Sequence, residues 1–256
     1  MATNSHIATL CAAAAVGVFA ATAAGSPATA TPQAGSRAAR VPILMYHRIG
    51  TVGAGLMVDR RTFSEQMRWL HQNGYRTLTQ RELYDALALG KPLPPKPVLI
   101  TFDDGYDDVL RFALPVLERL RMRATAYVIT GRSKDWRSPF LSWFELRELD
   151  RRGIEVASHT VSHRDLRTLS DRQLAHELVA SRQALEHRLG HPVRWLAYPF
   201  GGHDSRVVAA ARRAGYLLAV TTVGGVDQDG ARPLELRRLS ITGTTGARGL
   251  ASMLGS

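Results

Sequence analysis

Two adjacent carboxylates, Asp103 and Asp104, end the run Pro97-Val-Leu-Ile-Thr-Phe-Asp-Asp-Gly105, and two histidines stand four apart in Ser158-His-Thr-Val-Ser-His163. Imidazole and carboxylate together form a donor set suited to zinc, cobalt, nickel or iron better than to calcium or magnesium. Asp104, His159 and His163 would supply three protein ligands and leave one position open for water, as in a hydrolytic metal centre. A histidine pair at this spacing is common on ordinary surfaces; its conjunction with Asp-Asp-Gly after an apolar run makes it specific. The two aspartates need separate roles, because successive side chains leave a strand in opposite directions. One can bind metal while the other faces the attacking water as a general base. The competing use of Asp-Asp-Gly is a turn chosen for its backbone preferences. A glycosidase pair fits poorly, since its carboxyls must face one substrate bond from about 5 to 9.5 Å apart.

Such a constellation needs a scaffold that gathers residues distant in sequence. The apolar run before Asp103 reads as a buried strand ending in a sharp turn. Val41-Pro-Ile-Leu-Met-Tyr-His47 reads as another, ending on a histidine, and strand-like stretches also cover 124–130, 154–158, 195–198 and 217–223. Helices should alternate with them. Thr62 to Glu65, Thr79 to Glu82, Ser142 to Glu145 and Ser170 to Gln173 all fit the capping box. Gly74, Gly90, Gly153, Gly190 and Gly215 fall where those helices, and one more from about Asp204, should stop. Leu174, Leu178, Leu185 and Leu189 keep to one helical face and mark it as core. Strand–helix alternation implies an α/β fold with a parallel sheet, open or closed into a barrel. In such a sheet the strand ends gather on one side, so His47, the two aspartates, the two histidines and the turn Pro199-Phe-Gly-Gly202 can meet.

Residues 7–24 form an uncharged apolar run, followed by small residues with Ala28-Thr29-Ala30 as a cleavage site. This is a secretory signal pattern, although its start lacks Lys and Arg. An uncleaved anchor is the competing reading, but Ala and Thr make a weak span. The expectation is a signal peptide over 1–30, a flexible lead-in over 31–40 and a working domain over 41–256. The protein would be secreted or wall-associated, with no stable membrane span. Cys11, the only cysteine, lies in the signal, so the mature chain has no thiol chemistry. The net charge is +11, from 33 Lys+Arg against 22 Asp+Glu, and belongs wholly to the part from Arg37 onward. That balance fits an anionic cell wall and equally a solvated basic surface. The arginines are scattered without a block of like charge, so a nucleic-acid partner is not expected. A monomer is.

Thr101-Phe-Asp-Asp-Gly105, Ser158 to His163 and Tyr198-Pro-Phe-Gly201 together resemble the polysaccharide deacetylases of carbohydrate esterase family 4, the NodB-homology domain, over roughly residues 41–245. The resemblance implies a distorted (β/α)7-type barrel that removes N-acetyl groups from N-acetylglucosamine-containing polymers with one divalent metal, zinc first, with cobalt, nickel or iron as alternatives. It implies Asp103 as base and Asp104, His159 and His163 as metal ligands. Two positions depart from the commonest pattern. Ala197 stands where many members carry arginine, and the region of the late Leu-x-His motif reads Leu236-Arg-Arg-Leu239. The start Ile43-Leu-Met-Tyr-His-Arg-Ile49 is instead similar to the branch acting on exported poly-β-1,6-N-acetylglucosamine, which implies His47 as general acid. Arg238 is the candidate to replace the missing arginine beside Asp103, and the Phe200 N–H the candidate donor to the carbonyl oxygen. Trp136, Trp143, Trp195 and Tyr198 are candidates to stack on sugars, although Trp143 also shares helical spacing with Leu146 and Leu149. Two other functions would use the same site: an O-acetyl (xylan-type) esterase, or a wall-polysaccharide-binding protein without turnover.

Overall fold

A computed structural model of the chain describes residues 37–133 and 138–255, besides Met1. The expected signal segment, most of the lead-in, Cys11 and Trp136 lie outside the described residues. The main sheet has eight strands: β1 Ile43–Tyr46, β2 Arg76–Thr77, β3 Pro97–Phe102, β4 Ala124–Val128, β5 Ile154–Ser158, β6 Trp195–Ala197, β7 Leu218–Val220 and β8 Leu239–Ser240. Their spatial order is β7-β6-β5-β4-β3-β1-β8, with β2 alongside the start of β3. Every pairing is parallel. The sheet curls into a half-barrel. Its edges approach through Leu236, whose N–H donates to Ala219 O and whose carbonyl accepts from Thr221 N, both at 2.9 Å, just before the chain enters β8.

Strands covered on both faces must be apolar throughout, and the alternation of side chains then sorts them into two cores. Ile43, Leu99, Tyr127, Ala157, Trp195, Ala197, Leu218 and Val220 form one buried cluster, completed by Leu83 and Leu87. The alternate residues Leu44, Tyr46, Ile100, Phe102, Ala126, Val128 and Val156 face the other way, into a cluster shared with the surrounding helices. Those helices are α1 Arg60–Gln72, α2 Gln80–Leu89, α3 Leu114–Arg119, α4 Trp143–Arg151, α5 Asp171–Leu189, α6 Ser205–Arg213 and α7 Ala247–Leu254. Among the described residues no helix is long and apolar enough to cross a membrane.

The start of α2 is tied to the sheet through Glu155. Its carboxylate accepts from Gln80 N (3.1 Å), Trp195 Nε1 (2.5 Å) and Thr125 Oγ1 (3.3 Å). Trp195 is thereby committed to the core and not to a sugar. Three of the four expected capping boxes form, at Thr79, Ser142 and Ser170. The fourth does not. Helix α1 starts at Arg60, because the Asp59 carboxylate already accepts from Arg61 N and Thr62 N, which places Thr62 inside the first turn. Helix α3, which follows a π-helical turn over Val109–Ala113, was hidden in sequence by Pro115; proline in a first turn forfeits no hydrogen bond. Asp59→Ala should therefore cost about 1 kcal/mol in urea unfolding. Thr62→Ala should stay within about 0.5 kcal/mol.

Candidate metal centre and active site

Each strand end contributes one piece. The N–H of Asp103 donates to Tyr46 O at 2.9 Å, continuing the β1–β3 ladder one residue beyond β3. Asp104 then takes a left-handed conformation, φ 73°, which costs a non-glycine residue free energy and recurs at functional turns. The two carboxylates diverge. Asp103 receives both terminal nitrogens of Arg238, each at 2.7 Å, and the pair is almost wholly buried. Arg238 also donates to Thr221 O at 2.8 Å and Thr101 Oγ1 at 3.2 Å. Burial pushes the Asp103 pKa up, but the Arg238 guanidinium outweighs it, with smaller help from His159 and His47, and holds it down to about 2.

Asp104 meets the histidines instead. Its Oδ1 lies 3.7 Å from His159 Nε2 and 3.5 Å from His163 Nε2. His159 donates from Nδ1 to the Ala197 carbonyl at 2.8 Å, which fixes the tautomer and leaves Nε2 as the free donor atom. Burial lowers the pKa of both rings, His163 to about 4 with His159 adding to the effect. Both imidazoles are therefore neutral near pH 7, the state in which they can ligate. Three donor atoms lying within 4.8 Å of one another fit one divalent cation, and among the described residues no other such group of histidine, cysteine and carboxylate side chains occurs.

The strained loop between the histidines is pinned by a residue that sequence reasoning did not single out. Glu177, on α5 and 5% exposed, accepts from Val161 N and Ser162 N at 2.9 Å each and from the Ser162 hydroxyl. Those bonds hold a segment in which Thr160 (φ 67°) and His163 (φ 60°) are both left-handed. The signal was a carboxylate on the apolar face of α5, among Leu174, Leu178 and Leu185.

His47 follows β1, is half-buried and keeps a buried Nδ1 with no hydrogen-bond partner among the described residues. Phe200 follows β6 with φ 57° and is 66% exposed, its ring 4.6 Å from that of His163. Its turn is closed by Gly201 N to Tyr198 O (2.8 Å) and Gly202 N to Pro199 O (3.0 Å), which leaves the Phe200 N–H out of that closure. The site residues picked from sequence thus converge, and Arg238 joins them from far along the chain. The described aromatic candidates do not. Trp143 packs against the helix-side core, Trp195 on Glu155, and Tyr198 is fully buried. Among the described residues, the aromatic ring packed against the histidines is that of Phe200.

A family model described as polysaccharide deacetylase matches residues 90–219, from ahead of β3 into β7. YxkH of Bacillus subtilis (strain 168), whose name places it among polysaccharide deacetylases, is 35% identical over 80% of this chain and 72% of its own. The poly-beta-1,6-N-acetyl-D-glucosamine N-deacetylase of Escherichia coli (strain K12) is 36% identical over 41% of this chain, which spans only 18% of that longer protein. Among solved structures, the Streptococcus pyogenes deacetylase PplD in complex with acetate superposes with a TM-score of 0.80 at 30% identity, covering 85% of this chain and 99% of that one.

Glu177→Ala should weaken binding of zinc by roughly 10- to 100-fold, the usual effect of losing an outer-shell support. Titration against a chelator reads it directly. Glu177→Gln, which can still accept two N–H bonds, should retain most of the affinity.

Proposed function

The chain belongs to the polysaccharide deacetylase family, hydrolases of amide bonds in polysaccharides, and from that premise we propose that it is a metal-dependent N-deacetylase of a secreted or wall-associated N-acetylglucosamine polymer. The observation that carries this reading is the divergence of the two aspartates, one clamped by arginine and the other among neutral imidazoles. A divalent metal, zinc by the donor set, held by Asp104, His159 and His163 would polarise the acetamide carbonyl and raise the acidity of water in the site. Asp103 is the base. A carboxylate with so low a pKa is weak, but it is ionised at every working pH, and each oxygen keeps a lone pair beyond the one Arg238 uses.

As water adds to the carbonyl carbon, its proton passes to Asp103, and the Phe200 N–H supports the oxygen on which charge builds. The C–N bond then breaks while a proton goes to the departing amine. His47 supplies it, its buried Nδ1 having no hydrogen-bond partner among the described residues. The products are acetate and a glucosamine unit. An amine leaving group needs that proton more than an alcohol does, which favours the amide over an acetyl ester. The likeness to the E. coli enzyme favours a β-1,6-linked polymer.

The test is acetate release by the purified protein, chelated and then resupplied with zinc, cobalt or nickel, on β-1,6- and β-1,4-linked N-acetylglucosamine oligomers beside an acetylated xylan. Metal-restored release from an oligomer is expected, with Asp103→Asn inactive but still metal-loaded. Release from xylan alone would make the protein an esterase, and none from any substrate would end the reading. Arg238→Met should shift the acid limb of kcat/KM to higher pH. Without the guanidinium, burial outweighs the smaller effects of His159 and His47, so the Asp103 pKa rises and the base is protonated at a pH where the parent enzyme's is not.

A further inference from the structure

Basic side chains scattered along the sequence are gathered by the fold at one place away from the metal centre. The strands of the main sheet are all parallel, so their starts share the side opposite Asp104 and the two histidines. Lys96 precedes β3 and Asp103 follows it, and the strand between them is roughly 20 Å long. Arg76 opens β2 and is tied to the same start, its N–H donating to Lys96 O at 2.9 Å. Arg123, just ahead of β4, donates from its N–H to Thr77 Oγ1 at 2.8 Å. Arg119 and Arg121 close α3 immediately before it. All five cations are exposed.

None of the five makes an ion pair among the described residues. Glu118, next to Arg119, is taken by Arg152 at 2.8 and 2.6 Å. Outside the described residues the sequence holds one acidic side chain, Asp135. In the chain it follows the Thr130–Arg132 turn, which is bonded to the histidine loop, so the length of β4 separates it from Arg123. The five cations therefore supply nearly half of the +11 net charge on one small area.

Two of them are held in a backbone conformation that glycine usually takes. Of the six left-handed non-glycine residues described, Lys96 (φ 48°) and Arg121 (φ 53°) are the two outside the metal site. The other six helices reach their left-handed stop on glycine, at Gly74, Gly90, Gly153, Gly190, Gly215 and Gly255. Helix α3 reaches the same turn on Arg121, closed by Arg121 N to Glu118 O (2.9 Å) and Met122 N to Leu117 O (2.8 Å). A cation near a helix C-terminus is favourable, which accounts for Arg119, but it does not require arginine at the left-handed position. Lys96 ends no helix. Positions strained in this way cluster at ligand clamps.

We propose that Arg76, Lys96, Arg119, Arg121 and Arg123 form a docking surface for a linear phosphodiester polymer of polyol units, on the side of the sheet away from the metal centre. Guanidinium groups take phosphate oxygens in pairs, and four of the five cations are arginine. A bilayer fits less well, because none of the large exposed apolar side chains described lies on these segments to enter it. Nucleic acid fits less well because stacking of bases needs an open ring. Tyr75, beside Arg76, is half-buried against Trp69, with Lys96 Nζ 5.7 Å from its centroid. Docking there leaves the metal centre open on the other side, and it needs nothing from the deacetylase reading.

The test is the anisotropy of fluorescein-labelled poly(glycerol phosphate) titrated with the metal-loaded protein across about 50 to 200 mM salt. Saturable binding that weakens with salt is expected. Arg121→Gly should bind about threefold to fivefold more weakly with no fall in its urea midpoint, since glycine suits the left-handed backbone. Arg76→Gln/Arg121→Gly/Arg123→Gln should lose roughly 30-fold or more. Its slope of log K against log salt should be shallower by about 2, at roughly 0.7 for each lost phosphate contact. Arg172→Gln, which removes one exposed charge at the start of α5, should change neither affinity nor slope. Turnover of a neutral soluble N-acetylglucosamine oligomer should be the same in each variant as in the parent, and its loss in Arg121→Gly would overturn the separation of the two faces. No saturable binding at the lowest salt, or an equal loss in Arg172→Gln and Arg121→Gly, would overturn the docking surface itself. Tighter binding at matched charge to single-stranded DNA, polygalacturonate or anionic vesicles would overturn the choice of partner.

Discussion

The contact on which the rest depends is the buried pair of Asp103 and Arg238. Removing both charges from water costs several kcal/mol each, and only good geometry with further hydrogen bonds offsets it. Here the pair is bidentate and both partners are bonded beyond it, Arg238 to Thr221 O and Thr101 Oγ1, and Asp103 through its N–H to Tyr46 O. The Arg238 N–H also donates to Val223 O at 2.9 Å. One side chain therefore joins the end of β3 to the segment that spans the gap in the curled sheet. Well-packed apolar residues could close that gap at no loss of stability. The charges are better explained by what they do to Asp103.

Strain is concentrated where the chemistry is placed. Six non-glycine residues are left-handed among the described residues, and four of them, Asp104, Thr160, His163 and Phe200, belong to the site. Such conformations persist only when the surroundings over-determine them. The histidine loop is held from three sides: by Glu177 below, by the Thr130–Arg132 turn beside it and by Ala197 O on the first ring. Rigidity here is bought from neighbouring elements and not from the loop itself.

Sequence made the scaffold legible because its signals are local. Alternating apolar runs, capping boxes and glycine stops each act within a few residues. The cluster of Asp104, His159 and His163 was legible for a related reason, since Asp-Asp-Gly and the paired histidines are short motifs at strand ends. Arg238 was a weaker inference. It meets Asp103 across 135 residues, and in Leu-Arg-Arg-Leu only the alternation of a strand separates it from Arg237, which turns away to Gly224 O. Of the aromatic candidates, Trp143, Trp195 and Tyr198 are taken up by the core, whereas the ring against the histidines is that of Phe200.

The charge arithmetic of the site separates the roles of two neighbouring, chemically identical side chains. A carboxylate gripped by a permanent guanidinium cannot also become a strong metal ligand without loosening that grip. Asp103 is in that position, so its negative charge is compensated by the protein. Among the described residues Asp104 has only the two imidazoles within ion-pair reach, and burial keeps both neutral near pH 7. That leaves its carboxylate without a cationic partner among those residues, in a partly buried place. A divalent cation relieves that imbalance, whereas protonating a histidine would do so against the cost of burying a charge. In the proposed reading, base and ligand are thus distinguished by their surroundings and not by their own chemistry, and exchanging the two surroundings would exchange the roles.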